Sequence, residues 1–214
     1  GLGKSGRSAC ALLLARGVKV TAFDEKPAEP IVGVELHAGP LAHGFWRGQE
    51  VVVVSPGVPL GKPELAQARG AGAELIGEVE LAFRCLPEGT GPILAITGTN
   101  GKSTTTALVG ELCRQAGKKT FVGGNLGLPF TEAAKERYDF HVVELSSFQL
   151  EGIVHAGFLG AAILNLTPDH LDRYPSHQAY GAAKARIFLN PPKAGFAVVN
   201  ADDHEVLALS RAAK

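Results

Sequence analysis

The segment from Ile93 to Thr104 constrains the fold more than any other part of the chain. It reads ILAITGTNGKST: an apolar, strand-like run leads into a glycine-rich turn, and a helical pattern begins at Lys102. In such a turn, backbone N–H groups can face phosphate oxygens at the N-terminus of the helix. Lys102 would add a positive charge against the β- and γ-phosphates, and Ser103 a hydroxyl for Mg²⁺. The segment therefore predicts a phosphate-binding loop rather than an ordinary strand–turn–helix connection.

This loop is shorter than the strict phosphate-loop pattern. Ile96 stands five positions before Gly101, where the pattern has its first glycine. The residues expected to surround the bound phosphates are those of the turn and the first helical turn: Gly98, Thr99, Asn100, Gly101, Lys102, Ser103 and Thr104.

A second glycine turn opens the chain. Gly1–Gly6 matches G-x-G-x-x-G, a helical pattern follows to about Ala15, and a strand-like run over 18–23 ends at Asp24. Glycines followed by an acidic residue about 20 positions later are typical of dinucleotide-binding units. The pattern predicts a ligand with phosphates or a ribose over the helix N-terminus; a close helix–strand packing turn without a ligand is the alternative. Because such a turn normally follows a strand, we expect residues upstream of Gly1.

The chain divides near a stretch of linker composition, LPEGTGP at 86–92. We predict one unit over residues 1–88 and a second over residues 89–214. In the second, apolar strand-like runs alternate with helical patterns, which is typical of a parallel sheet with helical crossovers. The expected fold is α/β: a Rossmann-like parallel-sheet domain followed by a phosphate-loop α/β ATPase domain that is incomplete.

Polar residues follow several of the predicted strands. Glu144 ends the run at 140–145, and carboxylates in this position downstream of a phosphate loop hold magnesium. His170 lies between Asp169 and Asp172 in a loop after another strand and could bind a metal through a neutral imidazole. Asn125 lies in a Gly-Gly-Asn-Leu-Gly turn, whose backbone could come close to a ligand while the Asn125 amide donates or accepts a hydrogen bond. The alternatives are a turn-capping carboxylate for Glu144, a structural role for His170 and simple turn chemistry for Asn125.

Composition excludes some classes of protein. The 21 basic residues balance the 21 acidic ones, so nothing indicates bulk nucleic-acid binding or a basic membrane-binding face. No apolar run approaches the roughly 20 residues of a membrane span, and no signal peptide is visible. The three cysteines form no CxxC pair, which favours reduced thiols and a cytoplasmic location.

Several motifs together resemble those of the Mur ligases, the ATP-dependent amino-acid ligases of bacterial cell-wall precursor synthesis. They are TGTNGKST at 97–104, GGN at 123–125, ELSSFQL at 144–150, NxTxDHxDxY at 165–174 and AKxRI at 183–187. Ser55-Pro56-Gly57, the ELSSFQL run and the Asn of the loop resemble the branch that adds D-glutamate.

The resemblance implies three domains. The chain would contain the first, without its opening strand, and part of the central ATPase domain, while the C-terminal domain would be absent. A fragment of this kind is expected to be inactive alone. The implied reaction joins D-glutamate to UDP-N-acetylmuramoyl-L-alanine through an acyl phosphate, with ATP and two Mg²⁺ ions, in a monomeric enzyme.

The resemblance also implies roles for individual residues. Lys102 would contact the phosphates, Ser103 and Glu144 one Mg²⁺, and His170 with a carbamylated Lys184 the second. Asp24 would lie near the uracil, with Lys4 and Ser5 near the diphosphate. The residues expected along the nucleotide-sugar path are Gly57, Asn125, Ser146 and Gln149.

Three other functions remain open from the sequence. A nicotinamide-dependent oxidoreductase would explain Gly1–Gly6 and Asp24 but leaves Lys102 unexplained. A non-catalytic nucleotide-binding module is the second alternative. Folylpolyglutamate synthase, the third, shares the fold and chemistry but normally has a different loop and no N-terminal fingerprint domain.

Overall fold

The computed structural model describes residues 1–42 and 44–212, and its first part holds two separate pairs of parallel strands. In chain order the elements are α1 (Lys4–Ala15), β1 (Val20–Asp24), β2 (Val34–Ala38), β3 (Val51–Val54), α2 (Pro63–Gly70), β4 (Glu74–Gly77) and α3 (Glu78–Cys85). Strand β1 pairs with β2, and β3 pairs with β4. We call the part from α1 to β4 the N-terminal unit.

The glycine turn lies between the ends of β1 and β3. The backbone nitrogen of Gly1 donates to the carbonyl of Phe23 at 2.9 Å, and the carbonyl of Gly1 accepts from the Ser55 hydroxyl at 2.7 Å. Below the turn, both strands line a largely apolar cavity of about 740 Å³. The turn therefore joins the carboxyl ends of the two strand pairs, where open α/β sheets bind their ligands.

The second part of the chain forms one five-stranded parallel sheet. We call this sheet, together with its helices and loops, the C-terminal unit. Its elements are β5 (Ile93–Thr97), α4 (Lys102–Gln115), β6 (Thr120–Gly124), β7 (Phe140–Glu144), α5 (Ser147–Glu151), β8 (Gly160–Ile163), α6 (His177–Ala185), β9 (Phe196–Val199) and α7 (His204–Ala212). Short 3₁₀ helices occupy Phe130–Lys135 and Arg186–Phe188. The strand order is β6-β7-β5-β8-β9. The predicted α/β fold with parallel sheets is confirmed.

Strand β5 is the centre of this sheet. It pairs with β7 on one side and β8 on the other, and its Ala95 and Ile96 are almost fully buried. A strand buried on both faces needs a continuous apolar sequence, which is why the run at 93–96 contains no polar residue. The loops after β7 and β8 therefore lie on either side of the predicted phosphate loop.

Some elements differ from the sequence expectations. Strand β2 was not predicted, although its five residues VELHA alternate between apolar and polar; the run is short, and its side chains are only half-buried or exposed. Helix α5 was also missed, since five residues are too few to show a helical period. The sequence pattern from Ser176 to Leu189 predicts one helix, whereas α6 ends at Ala185 and the chain continues as a 3₁₀ turn. Among the described residues, no helix is both long and apolar enough to span a membrane.

Helix α3 contacts the hydrophobic cores of both units. Val79 and Ala82 belong to the large core of the C-terminal unit, whereas Leu81 and Cys85 pack with Leu12 of α1. The predicted division after residue 88 places α3 in the first unit, and this division stays a prediction. By its packing, α3 is shared between the two units.

Glu80 fixes α3 to the C-terminal unit through a buried carboxylate. Its Oε2 accepts from the backbone N–H groups of Val154, His155 and Ala156, each at 2.9 Å, and its Oε1 accepts from Arg84 Nε at 2.8 Å. Burial alone would raise the pKa of Glu80, but these donors outweigh it and the pKa lies below its usual value. The carboxylate therefore serves as the anion of a backbone nest.

Replacing Glu80 by glutamine is expected to lower the free energy of unfolding by roughly 3 kcal/mol at pH 7, because a buried charged acceptor is lost. The effect depends on pH. A lowered folded-state pKa adds stability above the unfolded pKa of about 4.3, and this stability disappears as pH falls through the folded pKa. Denaturant unfolding of E80Q and of the exposed-site control E88Q, at pH 7 and pH 3, measures the difference. An E80Q effect as large at pH 3 as at pH 7 would contradict the role of the charge.

Candidate phosphate and metal site

The predicted phosphate loop leads into the N-terminus of the 14-residue helix α4. Gly101, directly before the helix, has φ +79° and ψ −4°, a left-handed conformation that a side chain disfavours. In the described structure no side chain caps this end of α4, so its first N–H groups remain available. Ser103 and Thr104 are exposed in the first turn. The helix end has the features of an anion site.

The loop after β8 holds the phosphate loop in shape. The Asn165 side chain accepts from the N–H of Asn100 at 2.8 Å and donates to the Asn100 carbonyl at 3.0 Å. The Thr99 hydroxyl accepts from the N–H of Thr167 at 3.0 Å. We had not assigned a role to Asn165 from sequence; its position directly after a predicted strand is the signal that could have found it.

Lys184 of α6 lies beneath the loop and is only 1% exposed. Its Nζ donates to the Gly98 carbonyl at 2.9 Å and lies 4.6 Å from the centre of the Tyr180 ring. Burial, and secondly the charge of Lys102, lower the pKa of Lys184 to about 7, although Asp169 opposes the shift. The lowered pKa favours the uncharged, nucleophilic amine relative to an exposed lysine.

Glu144 ends β7 beside the phosphate loop and is 1% exposed. Its Oε1 accepts from Asn125 Nδ2 at 2.8 Å, so the structure brings these two predicted site residues together. Its Oε2 is buried and has no hydrogen-bond partner within the described ranges. An unpaired buried carboxylate oxygen is costly, and a bound cation would satisfy it.

His170 occupies the loop after β8 with a positive φ of 51°. Its ring packs against those of Phe148 and Tyr180, with centroids 4.9 and 6.0 Å away, and its Nε2 lies 3.6 Å from an Asp169 carboxylate oxygen. Tyr180 thus contacts both His170 and Lys184. Across residues 1–42 and 44–212, no group of three or more His, Cys, Asp or Glu side chains forms a metal cluster. A metal ion here would also need other ligands, such as the Ser103 hydroxyl or phosphate oxygens.

Ser146 and Gln149, both predicted on the nucleotide-sugar path, contact each other. The Ser146 hydroxyl accepts from the N–H of Gln149 at 3.2 Å, and the Gln149 side chain accepts from the N–H of Ser146 at 2.9 Å. This capping box starts α5. The Ser-x-x-Gln spacing was visible in the sequence, and both side chains have at least this structural role.

The residues predicted near the UDP part lie around the glycine turn. Asp24 accepts from the N–H groups of Lys26 and Leu2 at 3.0 and 2.7 Å, and these bonds lower its pKa. The Lys4 ammonium donates to the carbonyl of Gly127, next to the Asn125 turn. Ser5 is half-buried in the first turn of α1. Around Gly57, none of the described atoms lies within 4 Å of the position a Cβ would take, so its surface is open to a ligand.

Comparison with protein-family models gives two matches. Residues 96–214 match the Mur ligase middle domain, and residues 1–77 match the MurD-like N-terminal domain of Mur ligases. The matched middle domain contains the phosphate loop, Glu144, His170 and Lys184.

Curated relatives match the whole chain. A UDP-N-acetylmuramoylalanine–D-glutamate ligase from Myxococcus xanthus is 56% identical over 100% of this chain and 49% of its own length. The ligase of the same name from Escherichia coli is 44% identical over 95% of this chain and 46% of its own length. The chain therefore spans about half the length of these relatives.

Solved structures share the fold. UDP-N-acetylmuramate:L-alanyl-gamma-D-glutamyl-meso-diaminopimelate ligase from Neisseria meningitides aligns with 99% of this chain and 73% of its own, at a TM-score of 0.58 and 17% identity. MurC from Thermotoga maritima aligns with 97% of this chain and 49% of its own, at a TM-score of 0.52 and 23% identity. With the middle-domain model matching more than half of its residues, the chain belongs to the Mur ligase family.

Proposed function

We propose that this chain is the nucleotide-handling part of an ATP-dependent ligase that joins D-glutamate to UDP-N-acetylmuramoyl-L-alanine. The observation that carries the proposal is the arrangement around α4: an uncapped helix N-terminus with Lys102, beside the unpaired carboxylate oxygen of Glu144 and the buried amine of Lys184. The names of the two curated relatives support the choice of substrates.

The chemistry requires two anions to meet. The substrate carboxylate attacks the γ-phosphorus of ATP, an acyl phosphate forms, and ADP leaves. The D-glutamate amine then attacks the acyl carbon, and phosphate leaves as the amide forms. Lys102 and the N–H groups of the 98–104 loop would bind the ATP phosphates and offset their charge. The Asn165 and Thr167 contacts would keep those donors in place before ATP binds.

The residues present fit magnesium. The Ser103 hydroxyl and the orphaned Glu144 oxygen would hold one ion, and His170 with Lys184 a second. Asn125, which donates to Glu144 Oε1, would orient the carboxylate. Bound Mg²⁺ would polarise the phosphoryl oxygens and neutralise developing charge.

Lys184 can hold Mg²⁺ only after modification, because an ammonium group repels cations and Mg²⁺ prefers oxygen ligands to an amine nitrogen. Its amine, with a pKa lowered to about 7, can attack carbon dioxide; the new N–C bond gives a carbamate and one proton is released to solvent. The product is an anion at the position of Lys184, with two oxygen atoms that can coordinate a metal ion. We therefore propose that Lys184 is carbamylated in the active protein.

We place the nucleotide-sugar substrate along the glycine turn. Asp24 would contact the uracil, and Lys4 and Ser5 the diphosphate at the start of α1, with Gly57 on the path. The remaining residues of this path are Asn125, Ser146 and Gln149. We assign the UDP part to residues 1–88 and ATP to residues 89–214, in a cytoplasmic monomer that binds neither membrane nor nucleic acid.

The test is phosphate release by the full-length protein with ATP, Mg²⁺ and UDP-N-acetylmuramoyl-L-alanine, with amino acids added one at a time. We expect release that depends on D-glutamate. Release with another amino acid would move the protein to a different branch of the family, and folded protein that binds ATP but releases none would refute ligase activity.

The variant K102A tests the separate contributions of ATP binding and UDP-substrate binding to this assay. It should lose phosphate release yet bind UDP-N-acetylmuramoyl-L-alanine normally in calorimetry, because Lys102 lies in the ATP loop and not at the glycine turn. Strong loss of that binding in K102A would contradict the assignment of the UDP part and ATP to separate units.

A further inference from the structure

Arg173 connects the two units at the site itself. It lies in the loop after β8, three residues beyond His170. Its Nη1 donates to the carbonyl of Pro56 at 2.9 Å, and its Nη2 approaches the carbonyl of Val58 at 3.4 Å. These carbonyls flank Gly57, in the loop that follows β3 of the N-terminal unit. One guanidinium therefore holds both sides of the open Gly57 surface.

The guanidinium is held in position by its own unit. It lies over the Phe148 ring, 4.0 Å from the ring centre, and 3.6 Å from a Glu151 carboxylate oxygen. The Tyr174 hydroxyl donates to the same carboxylate at 2.6 Å. The Arg173 side chain is only 16% exposed, so water competes weakly for its donors.

The backbone of Arg173 is tied to His170. The N–H groups of Arg173 and Tyr174 both donate to the His170 carbonyl at 3.0 Å. A single residue thus connects the loop that carries His170 with the loop that carries Gly57. The units also meet at other contacts, including Gly77 N–H to the Gly152 carbonyl at 2.8 Å, so docking of the units does not depend on Arg173 alone.

We propose that Arg173 is a positioning residue that fixes the Ser55–Val58 loop relative to the His170 loop, so that the nucleotide-sugar surface keeps a set distance from the phosphate site. The assignment of the nucleotide-sugar to the Gly57 surface and of phosphates to the α4 site rests on the proposed function. The role of Arg173 in fixing the Ser55–Val58 loop does not depend on it. Arg173 itself touches backbone carbonyls and acts through the loop that they belong to.

The variant R173K keeps the charge and most of the stem but cannot reach two carbonyls in a fork. In the full-length protein we expect KM for UDP-N-acetylmuramoyl-L-alanine to rise about tenfold, with kcat within about threefold and KM for ATP unchanged. Loss of one charge-assisted hydrogen bond corresponds to a change of this size. The N–H of Val58 donates to the Ser55 carbonyl at 2.9 Å within the same loop, so its hydrogen exchange should accelerate by a similar factor without any substrate present.

The matched control is R186K. Arg186 also donates to two backbone carbonyls, those of Leu150 and Ile153 at 2.8 and 2.5 Å, but all three residues belong to the C-terminal unit. R186K should leave the KM values and the exchange of the 55–58 loop unchanged. R173A, which removes the stem as well, serves as a second variant. Its rise in KM for UDP-N-acetylmuramoyl-L-alanine and its faster exchange in the 55–58 loop should equal or exceed those of R173K.

Unchanged exchange of the Val58 amide in both Arg173 variants would overturn the proposal, as would an equal rise in R186K of the KM for UDP-N-acetylmuramoyl-L-alanine. If the protein without substitutions releases no phosphate with D-glutamate, the proposed function fails. The comparison of hydrogen exchange still decides the role of Arg173.

Discussion

Replacing Lys184 by alanine is expected to lower D-glutamate-dependent phosphate release by roughly a thousandfold. Loss of one preorganised group that stabilises the transition state typically costs a factor of about 10²–10³. Lys184 also donates to the Gly98 carbonyl within the phosphate loop. Steady-state rates of K184A and of the full-length protein without the substitution, both at saturating ATP, give the ratio. Thermal unfolding of both proteins checks that the variant is folded.

The variant K184R separates two roles of this position. Arginine keeps a cation but cannot form a carbamate, so K184R should be as inactive as K184A. Acetate or formate, added to K184A, should restore part of the rate by supplying a carboxylate in the space that is left. Near-normal activity of K184R would show that Lys184 acts as a cation, and would exclude the carbamate.

Replacing Gly152 by alanine is expected to lower the free energy of unfolding by about 2 kcal/mol and the melting temperature by about 6 °C. Gly152 directly follows α5 and has an ordinary φ of −87°, so the backbone itself tolerates alanine. The obstacle is space, because an added Cβ would lie 2.6 Å from the Gly77 Cα and 2.7 Å from its nitrogen. The units must separate to accept it, which would also break the bond from Gly77 N–H to the Gly152 carbonyl.

The matched control for Gly152 is Gly70→Ala. Gly70 is the last residue of α2, and among the described atoms none lies within 4 Å of its would-be Cβ. Alanine there should be neutral or slightly stabilising, since it reduces the freedom of the unfolded chain. Calorimetric melting of both variants measures the difference. Equal melting temperatures for G152A and G70A would contradict a tight contact between Gly77 and Gly152.

The sequence was informative where a local pattern has one physical solution. Strand β5, the turn at 98–101 and helix α4 were predicted because a glycine-rich turn between an apolar run and a helical pattern allows few other structures. The position of Glu144 at the end of β7 followed from the same reasoning. For Ser146 and Gln149 the Ser-x-x-Gln spacing of a helix cap was also present, while their position on the nucleotide-sugar path, implied by the resemblance, stays a prediction.

Residues that act across the fold could not be predicted in this way. Asn165 is 65 positions from the Asn100 backbone that it holds, and Arg173 is 117 positions from Pro56. Such pairs depend on the strand order and on the docking of the units, neither of which a single sequence encodes locally. The lowered pKa of Lys184 likewise arises from burial among side chains of distant segments, so the sequence showed only a lysine among alanines.

The position of α3 has a consequence for how the protein unfolds. Val79 and Ala82 complete one hydrophobic core, and Leu81 and Cys85 another, so neither core is whole without the same helix. Melting of either half exposes apolar surface of α3 that the other half needs. We therefore expect the two units to lose structure in a single cooperative transition, with little population of a form in which only one of them is folded.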